Sequence, residues 1–431
     1  MPPVSLTLSR RLFGLGAASL LAMPRAWAAT PPEMQERPPP QLDTLKWNPP
    51  LHAAIQALVN THGRYSKTYD PQSRPYVVSD WNNTAIVGDA QQMLFLFMLE
   101  HFSFVLPVLD FRQLFHGLAP TGPLPAPFVN LHHQPVLFDA LVDDIVEDYA
   151  TLLGRYGQKP PPLPAEDLDK DPALQGFRAR MAFCHQALTA TRGPEVAQRW
   201  MISLLAGQHD TEVSTLSRAT NEWGLGAAIA TRNWRCPTDR PGKAGPVAAS
   251  VTQMLRLTAE MANLFQILLE HGIDPVICSS AMEDVVALFA SSAEYGYTVR
   301  HDDVFGARLA EKKHIMQPVE APHTPLPFGE NKVALIRKHF QDKRKRPPLM
   351  LFVGEDSSAD LLTTYTATPL CCLINHKQTA AMQPFMREAS NPVPAGKTRR
   401  LYLQGRDENT GEWRPHSSSI LLGDSTPSLP V

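Results

Sequence analysis

Apolar residues follow two rhythms along this chain. Leu51–Thr61 carries them at helical spacing and predicts a helix. The run Tyr76-Val77-Val78-Ser79 that follows is short, apolar and β-branched, which predicts a buried strand. Gln91–Phe104, rich in Met, Leu and Phe, predicts a buried helix. From about 90 to 265 the strand–helix alternation stops. Helical patches at Val136–Tyr156, Leu174–Thr191, Pro194–Gly207 and Asp210–Trp223 are separated by proline-rich breaks, notably Pro160–Pro164. Val247–His271 predicts one amphipathic helix, with Met254, Leu255, Leu257, Met261, Leu264, Leu268 and Leu269 at its spacing. Alternation returns at Gly272. Pro275–Cys278, Leu349–Val353 and Leu370–Ile374 predict strands, and Met282–Ala290 and Lys332–Phe340 predict helices.

This order predicts an α/β fold: a three-layer Rossmann-like core with a mainly parallel sheet, and a large helical cap inserted after the first core strand. The expected core is 51–90 and 266–390. The cap is 91–265, placed as a lid over the crevice. Residues 29–50 form a proline-rich arm, and 391–431 an irregular tail with one extended piece at Arg400–Leu403.

The net charge of −2 gives no electrostatic footing for nucleic acid or for an anionic membrane. At the N-terminus, Arg10-Arg11 precede a mildly apolar run, Leu12–Met23, and Ala26-Trp27-Ala28 offers a small-x-small cleavage site. Residues 1–28 therefore resemble a twin-arginine signal peptide cleaved near Ala28. That implies the twin-arginine export machinery as a partner and the bacterial periplasm as destination. The run is well short of the roughly 20 residues a membrane span needs, so no stable insertion is expected. Five cysteines in an oxidising compartment leave one or more unpaired within a monomer. Cys184 and Cys236 are a candidate disulfide, and Cys278 is expected as a buried thiol.

Four stretches carry chemistry. The first strand ends on Asp80-Trp81-Asn82-Asn83-Thr84, an acid followed by turn residues. In an open α/β sheet, ligands sit beyond the carboxyl ends of the strands, where an aspartate can act as nucleophile or metal ligand. Cys278-Ser279-Ser280-Ala281 leads from a strand to a helix start, with Ser280 or Ala281 expected near the cap and Glu283-Asp284 in the first turn. Lys332 stands at a helix start, where the helix dipole disfavours a cation unless anions face it. Gly354-Glu355-Asp356-Ser357-Ser358-Ala359-Asp360 places three acids within six residues after an apolar strand, an arrangement suited to a hard cation.

In this order the four stretches resemble the haloacid dehalogenase-like hydrolase superfamily. Leu45–Pro49, Trp200–Gly207, Glu294–Tyr297 and Asp303–Gly306 are similar to its phosphoserine phosphatase-like branch, nearest to the periplasmic phosphorylcholine phosphatases. The resemblance implies a Mg²⁺-dependent phosphohydrolase acting on a small phosphomonoester. Asp80 is then the nucleophile that becomes an aspartyl-phosphate. Ser279 hydrogen-bonds the phosphoryl group, and Lys332 neutralises its charge. Mg²⁺ is held by Asp80, the Asn82 main-chain carbonyl and an acid of the fourth stretch, with Asp360 as ligand or behind it. A choline-type head group would call for an aromatic box, for which Trp81, Trp200, Trp223, Tyr295 and Tyr297 are available.

The sequence departs from the pattern twice. The position two after the nucleophile, where the family has the general acid and base, is Asn82. An amide cannot deliver and retrieve a proton near neutral pH. The alternative function is therefore a weakened member that binds a phosphorylated ligand. In the fourth stretch Glu355 follows Gly354 where the family has Asp, so the metal ligand is Glu355 or Asp356.

Overall fold

The computed structural model describes residues 38–157, 169–376, 380–393 and 398–430. The expected signal peptide, residues 29–37 of the proline-rich arm and the Pro160–Pro164 break lie outside the described residues.

Helix α1 (Pro49–His62) begins with Pro at its first positions, where no amide partner is needed. It leads into β1 (Tyr76–Ser79). Next come β2 (Ile86–Gly88), α2 (Ala90–His101) and α3 (Val108–Gln113). The long helices α4 (Phe138–Tyr156) and α5 (Pro172–Arg192) follow, then α6 (Pro194–Ser203) and α7 (Asp210–Gly226). Three short strands, β3 (Ala230–Arg235), β4 (Ala248–Gln253) and β5 (Leu255–Leu257), precede α8 (Ala259–Glu270). The chain continues through β6 (Asp274–Met282), α9 (Glu283–Ser291), β7 (Val304–Ala307), β8 (Leu309–Lys312) and β9 (Ile315–Glu320). It ends with α10 (Glu330–Ile336), β10 (Met350–Val353), α11 (Ala359–Thr364), β11 (Leu370–Asn375), α12 (Gln383–Ser390), β12 (Leu401–Asp407) and β13 (Glu412–Arg414).

A seven-stranded sheet with the order β13-β12-β11-β10-β1-β6-β7 forms the centre. It is parallel except for β12–β13. Side chains alternate between its faces with the period of two that strands impose. Val77, Met350 and Phe352 face one apolar layer with Trp47, Ile55 and Leu264. Tyr76, Val78, Leu351 and Val353 face the other with Ile336, Leu362 and Met386. The result is the three-layer Rossmann-like core.

The chain leaves β1 toward β6 and β7 on one side, then returns to build β10, β11 and β12 on the other. The carboxyl end of β1 is thus a switch point of the sheet, where a crevice opens.

The connection from β1 to β6 is a mainly helical cap. An aromatic cluster of Phe102, Phe104, Phe111, Tyr149 and Phe177 packs its first half. Arg180, almost fully buried, is paired with Asp148. Cys184 and Cys236 are separate, buried free thiols rather than a disulfide. Cys278 is a buried thiol as expected.

Three other expectations are corrected. Val247–His271 is not one helix, because β4 and β5 precede α8. β4 buries alternate residues and pairs antiparallel with β3, from Ala230↔Gln253 to Arg235↔Ala248. Its β-branched Val251 and Thr252 favour that state, and the helical spacing of Met254, Leu255 and Leu257 with Met261 was coincidental. The stretch after 390 is not an irregular tail. β12 joins the central sheet beside β11, and β13 closes it with Trp413 buried against Trp47. Finally, the cap of α9 is Met282, not Ser280 or Ala281, because β6 runs on through both residues.

Candidate active site

β1 delivers Asp80 to the switch point, 2% exposed. Its main-chain N–H donates to the Phe352 carbonyl of β10 at 2.9 Å, so the sheet ladder itself fixes the residue. Each carboxylate oxygen is held. Oδ1 accepts from the Lys332 ammonium at 3.0 Å and from the Trp81 N–H at 3.0 Å. Oδ2 accepts from the Ser358 hydroxyl at 2.7 Å.

Lys332 is fully buried in the first turn of α10. Its ammonium also donates to Ser358 Oγ at 2.8 Å and Ser357 Oγ at 3.1 Å, so all three of its hydrogens are used. A buried cation is tolerated only when paired and hydrogen-bonded in this way. Gly329 starts the helix at φ +55°, with its N–H on the Ser357 carbonyl, which ties the lysine helix to the fourth stretch.

The turn after Asp80 is closed by paired contacts. The Asn83 N–H donates to the Gly88 carbonyl, and the Asn82 side-chain carbonyl accepts from the Ala90 N–H at 3.0 Å. Asn82 Nδ2 is buried and has no hydrogen-bond partner among the described residues. Gly88 (φ +100°) lies against the Met254 carbonyl, closer than any Cβ permits, where β2 pairs with β5. This crossing sets Asp89, which caps α2 by accepting from the Gln91 and Gln92 N–H groups. Burial pushes the Asp89 carboxyl up to about 6, with the Asp80 charge adding to the shift.

Asn83, at φ +54°, turns its amide N–H onto Glu355 Oε1 at 2.7 Å, while its carbonyl accepts from both terminal nitrogens of Arg406 at 3.1 Å. Arg406 is itself buried and paired with Glu408 at 2.7 Å. A chain from Glu408 through Arg406 and Asn83 thus orients Glu355. Gly354 permits the approach, since a Cβ there would stand 2.5 Å from the Asn83 carbonyl oxygen. Burial, then Asp89, then Asp80 push the Glu355 carboxyl up to about 8.

Ser279 lies two residues past Ile277, the β6 partner of Ser79, at the same end of the sheet. The β6–β7 register slips between Cys278 and Met282, and such irregularities re-aim side chains at strand ends. The Ser279 oxygen accepts from the Ala281 N–H at 3.2 Å, which leaves its hydroxyl hydrogen to donate elsewhere.

The fold therefore brings together Asp80, Asn82, Lys332 and Glu355, with Ser279 on the neighbouring strand. Asp356 turns away and accepts from the Met382 N–H at 3.2 Å. The Asp360 carboxylate lies against Gly329 at the start of α10. Sequence reading gave no role to Ser357, Ser358, Asn83, Asp89 or Arg406. The two serines stood inside the fourth stretch, and Asp89 follows a turn glycine. Arg406 carried no local signal. Trp81 packs edge-on against Phe289 and Tyr297, and Trp200 is buried with Phe95 and Phe115 in the cap.

The carboxylates also suit a hard cation. Asp80, Asp89 and Glu355 act on one another's charge, and Lys332 is the ammonium among them. A dication there would offset the burial and the like-charge repulsion that together raise Glu355.

No family model matches the sequence, and no curated protein matches it. Among solved structures it is similar to a conserved, functionally unknown protein from Anaerococcus prevotii DSM 20548. The two are 25% identical over 90% of this chain and 99% of that one, with a TM-score of 0.80. That likeness extends the fold over nearly the whole chain and brings no activity with it. A protein of unknown function from Bordetella pertussis Tohama I is 11% identical over 77% of this chain and 98% of its own, at a TM-score of 0.37. A phosphoserine phosphohydrolase-like protein from Francisella tularensis is 12% identical over 70% and 87%, at a TM-score of 0.30. At those scores neither bears on what this chain does.

Proposed function

We propose that this chain is a haloacid dehalogenase-like phosphohydrolase of small phosphomonoesters, with Asp80 as nucleophile. The observation that carries the proposal is the Asp80–Lys332 pair. A carboxylate at the sheet's switch point is anchored through the backbone, and a buried ammonium and a serine hydroxyl hold its two oxygens. A plain strand cap needs none of this.

A carboxylate oxygen of Asp80 attacks phosphorus, the ester P–O bond breaks, and an aspartyl-phosphate forms. Lys332, already on Oδ1, offsets the charge that returns to that carboxylate when water attacks phosphorus and releases phosphate. The Ser279 hydroxyl and the unpartnered Asn82 Nδ2 are available to donate to phosphoryl oxygens. Asp80, the Asn82 main-chain carbonyl and Glu355 would hold Mg²⁺, which would supply charge neutralisation for the phosphoryl group. Asp356 and Asp360 would act from behind, through the loop and helix that position Glu355 and Lys332. The substrate's leaving group departs without a proton from Asn82, so good leaving groups react best.

A second reading is favoured by one observation: Asn82 is locked as an acceptor for the α2 amide. The chain would then bind a phosphorylated ligand with little turnover. Export to the periplasm by the twin-arginine route is proposed from residues 1–28 alone. The test is phosphate release from p-nitrophenyl phosphate by the purified mature chain, with and without Mg²⁺. Activity that needs the cation and disappears in Asp80→Asn supports the proposal. Cation-independent activity, or activity that survives the substitution, sinks it.

A further inference from the structure

A second group of ligating side chains lies away from the site, where the cap meets the hairpin β8–β9. Asp210 opens α7, and His314 sits in the two-residue turn of the hairpin. One ligand atom each from Asp210, Glu311 and His314 lies within 4.8 Å of the other two. His314 Nδ1 is 3.0 Å from Asp210 Oδ2, and His209 Nδ1 is 2.6 Å from Asp210 Oδ1. The His209 and His314 rings stack at 5.6 Å.

The two segments are already pinned by backbone bonds. Gly207 and Met316, Met316 and Gln208, and Asp210 and His314 are joined at 2.9 to 3.0 Å. The side chains thus meet on a preformed seam. Around a tetrahedral ion with bonds of about 2.0–2.2 Å, ligand atoms stand roughly 3.3–3.5 Å apart. The cluster, within 4.8 Å, could close onto such an ion through side-chain rotation, without rebuilding either loop.

The turn itself is informative. Lys313 and His314 both have positive φ, 53° and 64°, in a turn where Asn-Gly is the low-energy choice. The chain instead spends a strained position on an imidazole aimed at the cap.

We propose that Asp210, Glu311 and His314, flanked by His209, form a site for a first-row transition dication that clamps the β8–β9 hairpin onto the cap. Imidazole with carboxylate suits Zn²⁺ or its neighbours over Mg²⁺. The clamp would stabilise the docking of the cap without touching Asp80, and it does not depend on the phosphohydrolase proposal.

The test uses the full mature chain stripped with chelator and held in excess Mg²⁺, so that the Asp80 region is masked. Zn²⁺ is titrated by calorimetry, and Co²⁺ by visible absorption. The wild type should bind one equivalent of Zn²⁺, show a tetrahedral Co²⁺ spectrum and melt higher with Zn²⁺ present. His314→Ala and Glu311→Gln, both at exposed positions, should lose about tenfold or more in affinity and lose the spectrum, while melting normally without metal. No binding to the wild type, or binding and spectra unchanged in both variants, would overturn the proposal.

Discussion

The side-chain carbonyl of Asn82 accepts a hydrogen bond from the main-chain N–H of Ala90 at 3.0 Å. A carboxylate could keep that bond with one oxygen and place the other where Asn82 Nδ2 now stands without a partner. Asn82→Asp should therefore fold normally and gain a proton carrier beside the nucleophile. Turnover of alkyl phosphates should rise by about 10²–10⁴-fold, with a smaller gain for p-nitrophenyl phosphate. Equal rates in the two proteins on an alkyl substrate would show that proton transfer at this position does not limit the reaction.

Removing the cation from the Asp80 pair leaves a buried, uncompensated carboxylate. Lys332→Met should destabilise the fold by about 3–5 kcal/mol in urea denaturation. Adding Asp80→Asn to that variant should recover part of the loss, since the stranded charge is then gone. A Lys332→Met loss below about 1 kcal/mol, as for an exposed pair, would contradict the burial described here.

The acids set a pH dependence. Burial raises the Glu355 carboxyl to about 8, with Asp89 and Asp80 adding to it, and the Asp89 carboxyl to about 6, with Asp80 adding to it. A raised acid favours its neutral form in the fold. That stability is present below the ordinary carboxyl range and is lost as pH rises through the folded values. The melting temperature of the metal-free protein should fall between about pH 5 and pH 8, and Glu355→Gln should flatten the slope. Added Mg²⁺ should raise the melting temperature more at pH 8 than at pH 5. A gain independent of pH would argue against a metal bound at Glu355.

Arg406 is hydrogen-bonded to the site through Asn83, and its charge also acts on Glu355. Arg406→Met should lower apparent Mg²⁺ affinity about 10–100-fold, read from the Mg²⁺ dependence of the rate at saturating substrate. A variant that loses stability but keeps its Mg²⁺ dependence would limit Arg406 to a packing role.

What the sequence disclosed follows from how each feature is encoded. β1, β6, β10 and β11 are continuous apolar runs because both faces of a parallel sheet are covered, and such runs stand out. The long cap helices have amphipathic spacing and proline breaks. β3 and β4 were hidden, since β3 is mostly exposed and β4 resembles the start of α8. The start of β12 was legible as the extended piece at Arg400–Leu403, but its continuation into the sheet was hidden because its buried polar residues, Gln404 and Arg406, look like a tail until their partners are known. Ser279 lies inside a strand that runs on to Met282, whereas Asp80 and Lys332 were legible as strand-end and helix-start residues. Ser358 and Arg406 were not, because their roles arise from contacts 278 and 323 residues away along the chain.

The proposed reaction passes through a covalent step at Asp80, and an acid-quenched burst experiment reads that step directly. With Asn82 in place, p-nitrophenol leaves unaided, but no side chain at that position activates the water that must release phosphate. Mixing enzyme with p-nitrophenyl phosphate and Mg²⁺ should give a burst of about one equivalent of p-nitrophenolate before a slow steady state. Mass spectrometry of the quenched protein should find a phosphoryl group on Asp80. Steady turnover without a burst and without phosphoryl on Asp80, or turnover that persists in Asp80→Asn, would contradict the account.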